Sequence, residues 1–177
     1  MSDRDTIPAT IEALREAFDS SFAVAPAGAR PDEVALLAIR VGNDSIALRV
    51  HDTLGLVKAG RIVAVPSRRP DLVGIIGLRG AVIPIYSLAR VAGLSESEQP
   101  RWIALAGGPD RIGLAFAQFE GHLRVAPGAI HAAASPRESR LVSGVLETGA
   151  APRTILDVPA IVQAVKAASD RRTGSPT

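Results

Sequence analysis

Apolar residues change their spacing along this chain. Ile7, Ile11, Leu14, Phe18 and Phe22 recur every three or four positions, with Thr6 and Pro8 as start signals, and predict an amphipathic N-terminal helix. Two prolines and a glycine in "APAGARPD", Ala25 to Asp32, mark a linker. From Val34 the apolar residues fall instead into short β-branched runs cut by turn residues, the pattern of strands. Leu36 to Val41 and Ser45 to Val50 flank Gly42-Asn43-Asp44 as a hairpin, and a third run from Leu56 to Val65 bends around Ala59-Gly60. In "VGIIGLRGAVIPIYSL", Val73 to Leu88, two runs of the kind that form buried strands enclose Gly77-Leu78-Arg79-Gly80, which reads as a turn carrying an arginine. Ser87 caps a short helix that Gly93 ends, "SESEQP" connects to the second half, and Trp102 begins the next strand. A helix from Asp157 to about Ala168, capped by Asp157 and presenting Ile161, Val162 and Val165, precedes a tail expected to be disordered from Ser169 to Thr177.

The two halves resemble each other. "LLAIRVGNDSIALRV" from Leu36 and "WIALAGGPDRIGLAF" from Trp102 superpose without gaps. "GIIGLRGAVIPIYSL" from Gly74 and "GVLETGAAPRTILDV" from Gly144 share a glycine, an apolar run, a turn and an apolar exit towards a helix. The pattern is that of a diverged internal duplication of a strand-rich unit.

With 177 residues, 47% of them hydrophobic, the chain can build a real core. Aromatics make up 3%, so that core rests on Val, Ile, Leu and Ala, and a base-stacking platform is disfavoured. Despite a pI near 9.6, Lys and Arg exceed Asp and Glu by only 20 to 18, and the charges are dispersed, unlike a DNA-binding stripe. Without cysteine there is no disulfide, thiolate metal site or cysteine nucleophile, which fits a cytoplasmic protein. Acidic residues interrupt the N-terminus, so no signal-peptide core or membrane-spanning run is expected.

His51, His122 and His131 are scattered without metal-ligand spacing, and "GGPD" at Gly107 lacks the Lys-Ser/Thr of a phosphate loop and reads as a hairpin turn. Asp52, Asp71, Glu120 and Asp157 have no sequence neighbour to tune them for acid–base work, and Ser87, Ser139 and Ser143 lack the glycine-flanked elbow of a hydrolase. The expectation is a non-enzyme without metal or cofactor, whose surfaces bind proteins.

The run "VPSRRPDLVGIIGLRGAVIPIYSL", Val65 to Leu88, resembles the signature of the CheW family of bacterial chemotaxis adaptors, with further matches in "DRIGLAFAQF" and "RTILDV". The resemblance extends from about Val34 to Lys166. It implies a mainly β fold of two small five-stranded closed barrels side by side with a groove between them, flanked here by an N-terminal and a C-terminal helix. The expected division is 1–33 for the helix and linker, 34–98 for the first barrel, 99–168 for the second barrel with its helix, and 169–177 for the tail.

The resemblance also implies partners: the cytoplasmic hairpin tip of methyl-accepting chemoreceptors and the regulatory domain of a CheA-type histidine kinase, itself CheW-like. The chain would then be a cytoplasmic adaptor recruited to membrane-associated receptor arrays, with no nucleic acid and no direct membrane insertion. Candidate protein-contact residues are Arg79, Gly80, Leu54, Leu56, Val73 and Gly74, with Gly77 and Pro84 as structural turn residues. From the residues alone, Arg79 is either a turn arginine paired with a nearby carboxylate or an interface arginine, and Leu54 and Leu56 are either core or groove-lining. The sequence departs from the family pattern at Gly77, Ser87, Gly55 and Phe116-Ala117, where the family has Asn, Asp, an acidic residue and a Val-Asp pair. Two alternatives stay open, a CheW-like scaffold serving gliding or surface sensing, and a barrel for small ligands or oligonucleotides.

Overall fold

The computed structural model describes residues 32–96, 98–108, 110–132, 140–147 and 151–173, except for the side chains of 170–173. The expected N-terminal helix, most of the linker and residues 174–177 lie outside this set. The described strands are β1 (Val34–Val41), β2 (Asp44–Arg49), β3 (Gly55–Lys58), β4 (Leu72–Leu78), β5 (Ala81–Ser87), β6 (Trp102–Ala106), β7 (Ile112–Phe116), β8 (Gln118–Val125), β9 (Ile130–His131), β10 (Val142–Leu146) and β11 (Arg153–Leu156). Two helices join them, α1 (Leu88–Ala92) and α2 (Val158–Thr173). The body is mainly β, as expected.

One sheet has the order β8-β1-β2-β11-β10-β9 and the other β3-β6-β7-β5-β4. Neither is a closed barrel. In the second sheet the edges are β3, with four residues, and β4, which gains only the isolated bridge Val63–Ile75. Side chains span the remaining gap: Val57, Ala59 and Ile62 pack with Val73 and Leu78 against Ile76, Ile83, Ile85, Ile103, Leu105 and Ala115. The first sheet likewise curls around Leu36, Ala47, Val125, Leu146 and Ile155.

Nor does each sheet come from one half of the chain, so the expected division at 98/99 does not follow the architecture. The β1–β2 hairpin lies in the sheet built by β8 to β11, and the β6–β7 hairpin lies with β3 to β5. Parallel pairings make the exchange: β2 runs beside β11 and β7 beside β5. The exchange fits the half-repeat read in the sequence, because corresponding contacts recur. Ile85 lies opposite Gly113 as Ile155 lies opposite Ala47, and the register slips between Leu72 and Gly74 as it does between Val142 and Gly144.

A third cluster fills the space between the sheets, with Ile39, Ile46, Leu48, Tyr86, Leu114 and Leu156 joined by Val158, Ile161, Val162 and Val165 of α2. Strands therefore bury both faces. In β7, Ile112, Leu114 and Phe116 face the shared core while Ala115 faces its own sheet's interior. That is why these segments read as unbroken apolar runs without polar alternation.

Both expected caps are present. The Ser87 Oγ accepts the Arg90 N–H at 3.3 Å, Gly93 ends α1 at φ 69°, and the Asp157 Oδ1 accepts the Ala160 N–H at 2.9 Å. Helix α2 runs on to Thr173, so residues 169–173 are helical where a disordered tail was expected. The polar composition of that stretch hides the continuation. Its start is tied down by burial of Val158, Ile161, Val162 and Val165, and helix propagates from a fixed start at little cost.

Candidate protein-contact surfaces

Leu78 lies opposite Ala81, so β4 and β5 are joined by a two-residue turn of Arg79 and Gly80, with φ of 49° and 79°. Positive φ at both positions is the type I′ geometry that matches the twist of paired strands. Gly77 and Pro84 are not turn residues. Gly77 pairs with Val82 within β4, and Pro84 pairs with Ile75 within β5. Glycine reads as punctuation in a sequence, but this one lies on an exposed stretch of strand with nothing within 4 Å of where a Cβ would sit.

Arg79 is exposed, and among the described residues it has no ion-pair partner. No carboxylate among the described residues holds it. Val73 and Gly74 lie deeper in the same hairpin. Val73 packs towards the interior of its sheet. A Cβ at Gly74 would overlap the Val63 carbonyl, so this glycine permits the backbone approach that makes the Val63–Ile75 bridge.

Leu54 and Leu56 belong to the other end of the strand order, just before and on β3. The Leu54 N–H donates to the Leu105 carbonyl at 2.8 Å while its side chain is 55% exposed. Leu56 is half-buried and borders the shared core, together with Val50, Trp102 and Phe119. Trp102 reaches Phe119 with ring centroids 5.5 Å apart, Phe119 meets His122 at 5.3 Å, and the Lys58 ammonium lies 5.9 Å from the Trp102 ring. An aromatic seam thus joins β6 of one sheet to β8 of the other.

The sequence marks Trp102 only as a strand start and gives neither it nor Phe119 as a contact candidate. Their scarcity was the available signal, since the chain has one Trp and four Phe. Large, stiff side chains left half-exposed where two sheets meet are the type that anchors protein contacts.

Other polar groups hold the scaffold. Arg69 donates from Nε and Nη2 to Asp71 at 3.0 and 2.5 Å, and from Nη1 to the Val165 carbonyl and Ser169 Oγ of α2 at 2.9 and 2.6 Å, with its guanidinium 4.9 Å from the Tyr86 ring. The hydrogen bond with Asp71 raises its pKa further, so the charge is permanent. Glu120 bridges Arg40 at 2.8 Å and Arg153 at 2.6 Å. Burial pushes the Glu120 carboxyl up, but Arg153 and Arg40 together outweigh that and hold it below its ordinary range.

At Ser87, the hydroxyl donates to Glu96 at 2.8 Å, and Arg90 binds the same carboxylate at 2.6 Å. Glu96, from the polar connector, thus brings a negative charge to the start of α1, where the family pattern has an Asp side chain. Asp52 lies beside His51 at 3.2 Å and Asp157 caps α2, so the carboxylates singled out in the sequence all have structural partners.

The match to the family model for the CheW-like domain covers residues 35–166. The chain belongs to the CheW-like family. It is 25% identical over 136 residues to the chemotaxis protein CheW of Thermotoga maritima, covering 75% of this chain and 90% of the relative. The crystal structure of the scaffolding protein TtCheW from Thermoanaerobacter tengcongensis is similar with a TM-score of 0.63 at 18% identity, covering 71% of this chain and 89% of that one. The resemblance read from Val65 to Leu88 is therefore family membership, and the two-sheet β architecture is the CheW fold. Among the described residues no helix is long and apolar enough to cross a membrane.

Proposed function

We propose that this CheW-like chain is a non-catalytic adaptor that couples the cytoplasmic tips of chemoreceptors to a CheA-type histidine kinase, working in the cytoplasm at membrane-associated receptor arrays. The observation that carries the reading is the half-buried apolar and aromatic border between the two sheets, Leu56, Trp102 and Phe119, in a chain of this family. A helical hairpin presents ridges of apolar side chains, and a shallow apolar border between two rigid sheets suits such a ridge. Arg79 supplies a second contact on the β4–β5 turn, where a planar guanidinium can bind a carboxylate in two-pronged fashion.

Binding occupies both surfaces without bond-making, so receptor state is passed to the kinase as a coupling free energy between contacts. Separate titrations of the full chain with a receptor hairpin-tip fragment and with the kinase regulatory domain test this. Saturable binding to both is expected, with Phe119→Ala weakening the receptor contact. Failure to bind either partner overturns the reading, and binding to one alone removes the coupling role.

A further inference from the structure

On the far side of the β4–β5 hairpin is a groove of about 920 Å³ between the N-terminal half of β5 and α2, bordered by Val82, Pro84, Gly108, Arg111, Val165 and Lys166. It exists because β5 has a neighbour on this side for only part of its length. β7 joins it from Ile85 onward, opposite Gly113, which leaves Ala81 to Ile83 as an open edge.

The antiparallel register fixes what that edge presents. Leu78 and Ala81 close the two-residue turn as a hydrogen-bonded pair, so Val82, opposite Gly77, occupies a non-hydrogen-bonded position and directs its N–H and C=O away from β4. Among the described residues nothing pairs with them. The Val82 side chain is 70% exposed, more than any other large hydrophobic in the described body. Pro84, two residues on, is again turned away from β4 and has no N–H to offer, so a strand added here finds its donor at Val82 and no further along β5. Arg111 is exposed with no ion-pair partner among the described residues, and Lys166 is held only at 3.4 Å by an Asp110 that is 85% exposed.

We propose that this open edge binds a short extended segment of a partner protein by strand addition, with an apolar residue against Val82 and an acidic residue against Arg111. Backbone pairing at Val82 provides affinity, and the basic wall selects carboxylate-bearing sequences. The site is separate from the aromatic seam and does not depend on the receptor and kinase assignment.

The test is a titration of the isotope-labelled full chain with acetyl-Glu-Val-Glu-Val-amide and, separately, with acetyl-Lys-Val-Lys-Val-amide, followed by amide chemical shifts and hydrogen exchange. The acidic peptide is expected to shift the amides of Ala81 to Ile83, of Gly108 and of Asp110 to Ile112 saturably, to slow exchange of the Val82 N–H, and to bind at least about tenfold tighter than its lysine counterpart. Val82→Pro, which removes the donor, is expected to abolish binding, and Val82→Thr to retain it. Should the proline variant not fold, Arg111→Glu carries the test, since it is expected to erase the preference for the acidic peptide. Equal binding of the two peptides, or shifts confined to other surfaces, overturns the proposal. So does a dimer in sedimentation that perturbs these same amides as protein concentration rises, because the edge then belongs to a second copy of this chain.

Discussion

Arg79 holds a left-handed backbone conformation, φ 49°, that costs a non-glycine residue about 1 kcal/mol. Asparagine tolerates that region better, so Arg79→Asn should raise stability in urea melts by about 0.5–1 kcal/mol. Binding should move the other way, losing about 1–3 kcal/mol towards receptor or kinase if the guanidinium is an interface anchor. A variant that gains stability and keeps full affinity for both partners removes Arg79 from the contact surface.

The two glycines of the hairpin differ in kind. Gly80, at φ 79° with open space around it, resists substitution only through its backbone, and Gly80→Ala should cost about 1–2 kcal/mol. Gly74→Ala meets the Val63 carbonyl as well, so it should cost more and unpair the bridge. Amide exchange at Val63 and Ile75 distinguishes the two.

Elements are pinned by a few polar contacts at the edge of the core. Arg69 ties α2 to β5 by bonding the Val165 carbonyl and stacking on Tyr86. Arg69→Met should lower stability by about 1–3 kcal/mol, since Asp71 loses its charge partner. The loss should appear first as faster exchange in α2 beyond Val165, with the sheets still protected; uniform loss across the body would mean that Arg69 does not act on the helix.

Glu120 ties β8 to β1 and β11 through two arginines. Its folded pKa lies below the ordinary 4.5, so its stabilisation is fully present above that value and disappears as pH falls through the folded one. Solvent access limits the effect to less than about 1 kcal/mol. Glu120→Gln should flatten the acid limb of a stability–pH curve by that amount, and an unchanged acid limb would show that the triad is fully screened.

At the scale of the molecule, strand exchange makes the halves interdependent. A fragment ending at Glu98 contains β5 without β7, and β1–β2 without β8 and β11. The fragments 34–98 and 99–177 should each be largely unfolded alone and should regain the native circular dichroism spectrum when mixed. The intact chain should melt in one transition, because the cluster between the sheets draws on both. Independent folding of either fragment would contradict the role given to the exchanged hairpins.

Most strand runs, the caps at Ser87 and Asp157, the half-repeat and the family were legible in the sequence, because each rests on local spacing or on residue types with narrow backbone preferences; β8, whose Gln118–Val125 mixes polar and apolar positions, was not, and the run expected from Leu56 to Val65 keeps its strand only to Lys58. The turn was legible in place but not in detail: two glycines flank Arg79, and only the register with β5 showed that Gly80 turns while Gly77 stays in its strand. Which sheet a strand joins is set by contacts between residues far apart in the chain. Two similar half-repeats offer each hairpin two compatible partners, so the exchange of β1–β2 with β6–β7 had no local signature. The seam of Trp102 and Phe119 and the open edge at Val82 share that origin. Both are surfaces that exist only once distant strands are set beside one another.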